Sequence, residues 1–146
     1  MAPVGGRLQW NEREVERLLN SPDGPVGRDL NRRGEIGTQA AKRLCPTSPR
    51  GSDGRGPGYT RSNIGHALGR DERGLYVDVK STARTRDGIP ISLLLEFGTR
   101  AHEIRSHGDY PLRNRQTGQV FGRSVQHPGT TAQPHLRPAL IEMVRS

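Results

Sequence analysis

The stretch PVGRDLNRRGEIGTQAAKRL, residues 25–44, reads as one long helix. Val26, Leu30, Arg33, Gly37, Ala41 and Leu44 recur at spacings of three and four, with Ile36 and Ala40 widening the stripe. Pro25 suits a first helical position, and Pro46 forces a stop after Leu44. Gly34 and Gly37 weaken such a helix by about 1 kcal/mol each relative to Ala, unless they allow close packing. Thirty residues on, LYVDVK (residues 75–80) alternates Leu75, Val77 and Val79 with Tyr76, Asp78 and Lys80. That is the period-two signature of a half-buried strand. A long helix beside such a strand predicts an α+β domain.

The elements around these two fill in the plan. Asn11 followed by Glu14 forms a capping-box pattern, and Val15, Leu18 and Leu19 share a face, which predicts a helix over Asn11–Asn20. Residues 21–24 read as a turn. Pro46–Gly58 is rich in Pro, Gly, Ser and Arg and reads as a mobile loop. Ser62–Leu68 is a weak strand, joined through a turn at Asp71–Gly74 to the strand over 75–80 as a hairpin. Thr82–Gly88 is a polar connection, and Ile89–Phe97 is apolar enough for either a short helix or a strand. Beyond Gly98 the chain reads as extended loop or arm to Val125, with strand candidates at His102–Arg105, Tyr110–Leu112 and Gln119–Val125 and a hairpin turn at Thr117-Gly118. His127-Pro128-Gly129 is a turn. Leu136, Ala139, Leu140, Met143 and Val144 predict a closing helix over Pro134–Val144. The expected architecture is a small antiparallel sheet packed with two N-terminal helices and one C-terminal helix, with long loops.

Composition bounds this plan. At 146 residues the chain is one domain by length, spanning 1–146. Leu, Ile, Val and Phe number 29 and Gly plus Pro number 30, so the core is thin for this length. Two domains, a coiled coil and a membrane span are excluded. The longest apolar stretch, Ile89–Phe97, is interrupted by Pro90, Ser92 and Glu96 and is too short for a bilayer. The N-terminus lacks the apolar segment of a signal peptide, and the lone Cys45 allows no internal disulfide, so a cytoplasmic origin is expected.

Net charge is +8, from 23 basic and 15 acidic residues. Lys42 and Lys80 are the only lysines; the other 21 basic residues are arginines. Guanidinium groups suit phosphate. Yet the arginines run from Arg7 to Arg145 without massing, as a GC-rich genome alone would give. With six aromatic residues and no aromatic cluster, sequence-specific nucleic-acid reading is not indicated, and a weak, sequence-independent contact with DNA stays open.

The search for chemistry is short. The spacings of His102 with His107 and of His127 with His135 are not zinc patterns, so no metal is expected. No Gly-x-Ser-x-Gly elbow or phosphate-binding loop is present, and the glycines of residues 51–58 follow no strand. Lys42 and Arg43 could lower the Cys45 pKa, but a buried thiol is the simpler expectation. Glu96 alone among the acids lies inside an apolar run, where it could cap a turn or pair with Arg100. No catalytic residue and no cofactor is expected.

Two segments carry a resemblance. Glu96-Phe97-Gly98-Thr99-Arg100-Ala101-His102-Glu103-Ile104 is similar to a Glu-Phe-Gly-Thr-Arg-x-His-x-Ile element, and Val125–Leu140 to Val-x-His-Pro-Gly-Thr-x-Ala-x-Pro-Phe-Leu-Arg-Pro-Ala-Leu. In this order they resemble the small neck, or tail-completion, proteins of long-tailed bacteriophages. Ala41, Lys42 and Pro46 fit an upstream element, so the likeness spans about residues 25–145. The departures are His135 where the family has Phe, which takes an aromatic anchor from the closing helix, and a longer loop from Thr47 to Gly58. The resemblance implies a non-enzymatic virion protein assembled in the bacterial cytoplasm. It would form a homo-oligomeric ring, six copies expected and twelve where a ring meets the portal. That ring would sit between portal-side head-completion proteins and the tail terminator or tail tube, around non-specifically contacted genomic DNA and away from membrane. It makes fold and interface elements of Glu96, Phe97, Gly98, Thr99, Arg100, His102, His127, Pro128, Gly129, Pro134, Leu136, Arg137, Pro138 and Leu140. A tail terminator ring protein and a basic nucleic-acid-binding module are the alternatives.

Overall fold

The computed structural model describes residues 9–47, 55–114 and 117–146, so most of the loop expected over Pro46–Gly58 lies outside the described residues. The chain is α+β. Helix α1 spans Glu12–Asn20, with the Asn11 side chain accepting the Glu14 N–H at 3.3 Å, half of the expected capping box. Helix α2 spans Pro25–Leu44, as the sequence predicts.

The buried face of α2 is built from small residues: Gly27, Gly34, Gly37, Thr38, Ala40 and Ala41. Leu44, expected in the stripe, is exposed, whereas Cys45 is buried. Cys45 is the C-cap, with extended backbone at ψ 122°, so its side chain leaves the helical period and turns into the core.

A helical turn, α3 over Tyr59–Ser62, takes the start of the expected strand, and strand β1 runs Ile64–Asp71 instead of 62–68. The Asn63 side chain donates to the Tyr59 carbonyl at 2.8 Å and closes that turn. Strand β2, Gly74–Ser81, pairs with β1 in antiparallel register from Ile64↔Ser81 to Asp71↔Gly74. Leu75, Val77 and Val79 are half-buried, and α2 packs against both strands. The glycines of α2 permit this contact. A Cβ at Gly34 would lie 2.6 Å from Val77 Cγ2 and 2.7 Å from His66 Cδ2, and one at Gly37 would lie 3.1 Å from both Val79 Cγ2 and Met143 Sδ. The His66 ring spans Gly34, with Nδ1 3.1 Å from Thr38 Oγ1 and Nε2 3.2 Å from Asn31 Oδ1.

Ile91–Phe97 is helical (α4), which resolves the ambiguity of that run. Four short strands follow: β3 His102–Arg105, β4 Leu112–Arg113, β5 Val120–Gly122 and β6 Ser124–His127. Tyr110 falls outside β4, and the strand expected over Gln119–Val125 divides at Arg123. β3, on the bounds the sequence predicts, pairs with β6, and β4 pairs with β5, so the expected arm with its strand candidates is a two-stranded antiparallel ribbon. Among the described residues the β structure is thus three two-stranded ladders. The ribbon strands pack substantially only against one another.

Helix α5, Leu136–Arg145, closes the chain against α2. Ala139 and Met143 are buried, but Leu140 and Val144, expected on the same stripe, face outward. One helix can bury only the side that meets α2, and that side is used by Leu136, Ala139 and Met143. Ala40, Ala41, Cys45, Ile64 and Ala139 form the core cluster, which is as thin as the composition predicts.

Candidate functional site

Glu96, next to last in α4, is a buried carboxylate. Its Oε1 accepts the backbone N–H groups of His135 and Leu136, both at 2.6 Å. Its Oε2 accepts Arg137 Nε at 3.1 Å, and the Glu96 carbonyl accepts Arg137 Nη2 at 2.9 Å. The carboxylate therefore caps α5 from a different element. Of the two expectations for Glu96, it acts as a cap, though of α5 and not of its own turn, and it does not pair with Arg100, which stands exposed at the start of the ribbon. It also explains why the helix starts at Leu136 rather than Pro134, because the free N–H groups of its first turn point at a fixed anion. Pro138 sits in that turn, where a missing N–H costs nothing.

Burial pushes the Glu96 carboxyl upward, but the N–H groups of His135 and Leu136 and the Arg137 guanidinium outweigh it, so the group is held below its ordinary range. The neighbouring Phe97 is 65% exposed, and the Arg137 guanidinium lies over its ring at 4.9 Å.

His135 is fully buried. Its Nε2 is 3.2 Å from Ser92 Oγ. Its Nδ1 is 3.2 Å from Glu96 Oε1, but off the line a hydrogen bond needs, and has no hydrogen-bond partner. Burial lowers its pKa, against the pull of Glu96 and the Gln133 backbone. Far from removing an anchor, His at this position fills the interior and binds Ser92. The order Ser92, His135, Glu96 is that of a charge relay, yet all three residues are at least 95% buried. A substrate carbonyl has no access to a hydroxyl in that position, and the carboxylate is already committed to α5. The group holds α4 to α5.

Beyond Glu96 the two motif segments run side by side. Gly98 and Gly129 adopt positive φ of 69° and 87°. A Cβ on Gly98 would collide with the Thr130 carbonyl, and one on Gly129 with the Thr99 carbonyl. Between them Thr99 and Thr130 exchange two backbone hydrogen bonds of 3.1 Å, and their hydroxyls meet at 3.0 Å. His102 then faces His127 across the ladder, ring centroids 5.1 Å apart. His102 Nδ1 bonds the Arg100 carbonyl at 2.8 Å, and His127 Nδ1 accepts the Gly129 N–H at 3.0 Å across exposed Pro128. That second bond puts the neutral-ring proton of His127 on Nε2, the nitrogen a metal would need. Among the described residues no group of three or more metal-ligating side chains occurs.

The structure thus brings together Glu96, Phe97, Arg137 and Leu136 at one end of the ribbon, and Thr99, His102, His127 and Gly129 along its first rungs. Pro134 and Leu140 stand outside, both exposed. Sequence reasoning missed Ser92 and His66, whose partners are distant in the chain. Cys45 is buried, and burial raises its pKa; Arg61, which donates to the Cys45 carbonyl at 3.2 Å, pulls the other way in place of the expected Lys42 and Arg43. No described helix is long and apolar enough to cross a membrane. No protein family, curated protein or solved structure was found to match this chain.

Proposed function

We propose that this chain is a structural subunit of a tailed bacteriophage virion, a neck or tail-completion protein. In this reading copies form a ring, six expected, between the portal-side head-completion proteins and the tail terminator or tail tube, around the DNA channel. The observation that carries the reading is the union of the two motif segments. Residues 96–104 and 125–140 meet through the Glu96 cap, the Thr99–Thr130 bridge and the four rungs from His102↔His127 to Arg105↔Ser124. The residues that give the resemblance therefore build the cap and the first rungs of a ribbon. A ribbon that packs mainly on itself and exposes apolar side chains suits an assembly element, because exposed apolar surface is unfavourable in water and gains when a partner covers it.

The arginines support protein contacts over a tight grip on DNA. Arg33 pairs with Asp29, Arg43 with Glu142, Arg70 with Glu16, Arg105 with Glu103 and Arg123 with Asp109. Guanidinium groups neutralised within the chain release fewer counterions from DNA and bind it weakly, as a channel for sliding DNA requires. The test is genetic. Removing the gene from the phage that encodes it should leave DNA-filled heads and complete tails unjoined, with joining restored by the supplied protein. Infectious particles formed without it would overturn the reading.

A further inference from the structure

Two histidines face each other at the base of the ribbon, and each ring also holds the backbone beside it. His102 pairs with His127 in the β3–β6 ladder, with ring centroids 5.1 Å apart. His102 Nδ1 is 2.8 Å from the Arg100 carbonyl. A carbonyl only accepts, so this ring carries its first proton on Nδ1 and takes a second on Nε2. His127 is set the other way. Its Nδ1 accepts the Gly129 N–H at 3.0 Å and must be unprotonated to do so. Gly129 in turn lies tight against the backbone that leads into β3. A Cβ there would be 2.9 Å from the Arg100 carbonyl carbon and 3.0 Å from the Ala101 nitrogen. The bond from Gly129 to His127 therefore fixes the turn that leads into the Thr99–Thr130 bridge.

We propose that this histidine rung is an acid-released latch at the base of the ribbon, with His127 as its sensing ring. Proton uptake at His102 falls on Nε2 and leaves the bond to Arg100 in place. Proton uptake at His127 falls on Nδ1, and the ring then points an N–H at the N–H of Gly129. An attraction becomes a repulsion, and the turn loses the acceptor that holds it. Two imidazolium rings directly opposite each other also repel. Among the described residues no carboxylate pairs with either ring. Glu103, the next residue of β3, is paired with Arg105 at 2.7 Å. Strand β5, which packs on β6, carries no ionisable side chain, and Arg123 between them is paired with Asp109. Glu96 is committed to α5 and Arg137, and exposed Arg100 adds a further positive charge beside the rung. The latch is closed while His127 is neutral and opens as pH falls through the range in which histidines titrate. Because the ribbon strands pack mainly against one another, its base loosens without unfolding the core. The latch stands on this rung and not on the neck reading.

Nitrogen NMR of the full-length chain tests it. At pH 8 the ring signals should place the His127 proton on Nε2 and the His102 proton on Nδ1. A His127 ring protonated on Nδ1 at that pH would overturn the proposal. Titration to pH 5 should move the Gly129 amide signal in step with the His127 ring. It should also speed exchange of the Thr130 amide, corrected for intrinsic exchange at each pH, at least about threefold, as loss of one hydrogen bond does. His127→Asn is the control, because asparagine offers a side-chain oxygen to the N–H two residues on and does not titrate. In that variant the Gly129 signal and the Thr130 exchange should stay constant. The amide of Ala41, fully buried in α2, reports any general softening through His135. A Gly129 signal that ignores the His127 titration, or Thr130 exchange that rises only in step with Ala41 or equally in His127→Asn, would overturn the latch. The ring measurement needs no variant and decides the proposal by itself if His127→Asn does not fold.

Discussion

Glu96 and Leu136 are forty residues apart in sequence, and a single carboxylate oxygen of the first accepts the backbone N–H of the second at 2.6 Å, together with that of His135. One buried side chain thus starts the last helix and fixes the end of α4, from which the ribbon leaves. Glu96→Ala strands two N–H groups in a buried site and should cost about 2–4 kcal/mol, measured by urea denaturation. Arg137→Ala, whose side chain is largely exposed, should cost under about 1 kcal/mol. Equal losses from the two would mean that the ion pair, rather than the cap, is what matters.

Acid should weaken the fold in two stages. The His135 pKa is lowered by folding, so its contribution is complete above the ordinary value of 6.5 and declines as pH falls below it. The Glu96 pKa is also lowered, so its contribution is complete above 4.5 and is lost as pH falls through the folded value. His135→Phe should remove the first stage and keep the second. Because it leaves Ser92 Oγ buried without a partner, it should also cost about 1–3 kcal/mol, recovered in part by adding Ser92→Ala. Thermal melts from pH 4 to 8 measure both, and a His135→Phe profile parallel to the native one would contradict the assignment.

The helix α2 was legible to the residue because its signals are local: Pro25 at one end, Pro46 at the other and a 3.6-residue period between them. The closing helix was legible in position but not in cause. Its cap comes from Glu96, and no local pattern announces an acceptor forty residues away. The ribbon is legible in part: the strand candidate His102–Arg105 coincides with β3, while Tyr110–Leu112 and Gln119–Val125 overlap β4, β5 and β6 without fixing their bounds. Its strands are two to four residues long, and their exposed faces have no hydrophobic alternation, so only the cross-strand pairing of His102 with His127 and Ile104 with Val125 defines them. The ring and the neck rest on a resemblance, and the geometry adds to it a ribbon whose strands pack mainly against one another.

Gly34→Ala pits helix propensity against packing. The substitution favours α2 by about 1 kcal/mol. It also drives a methyl group to 2.6 Å from Val77 and 2.7 Å from a His66 ring held at both nitrogens. Overpacking of this kind costs about 1–3 kcal/mol, so the variant should be less stable. At Gly37 the neighbours are 3.1 Å away and include the flexible Met143 thioether, so Gly37→Ala should stay within about 1 kcal/mol of the native chain. Calorimetric melting of both proteins checks the order; a stabilised Gly34→Ala would contradict the close contact of α2 with the hairpin.

Replacing residues 105–124 with a short Asn-Gly turn should leave the core intact. The ribbon strands contribute little to any other element, so the urea midpoint should move only slightly, while the His102–His127 rung and the Glu96 cap persist. A collapsed transition would show that the ribbon is part of the core.

The central claim is that the chain is a ring component of a virion neck. Quantitative mass spectrometry of gradient-purified tailed particles from the encoding phage tests it most directly. The account predicts peptides of this chain in every particle fraction, at a fixed ratio to the portal protein and in a copy number of six or twelve. Particles that are complete and infectious but contain none of it would contradict the account.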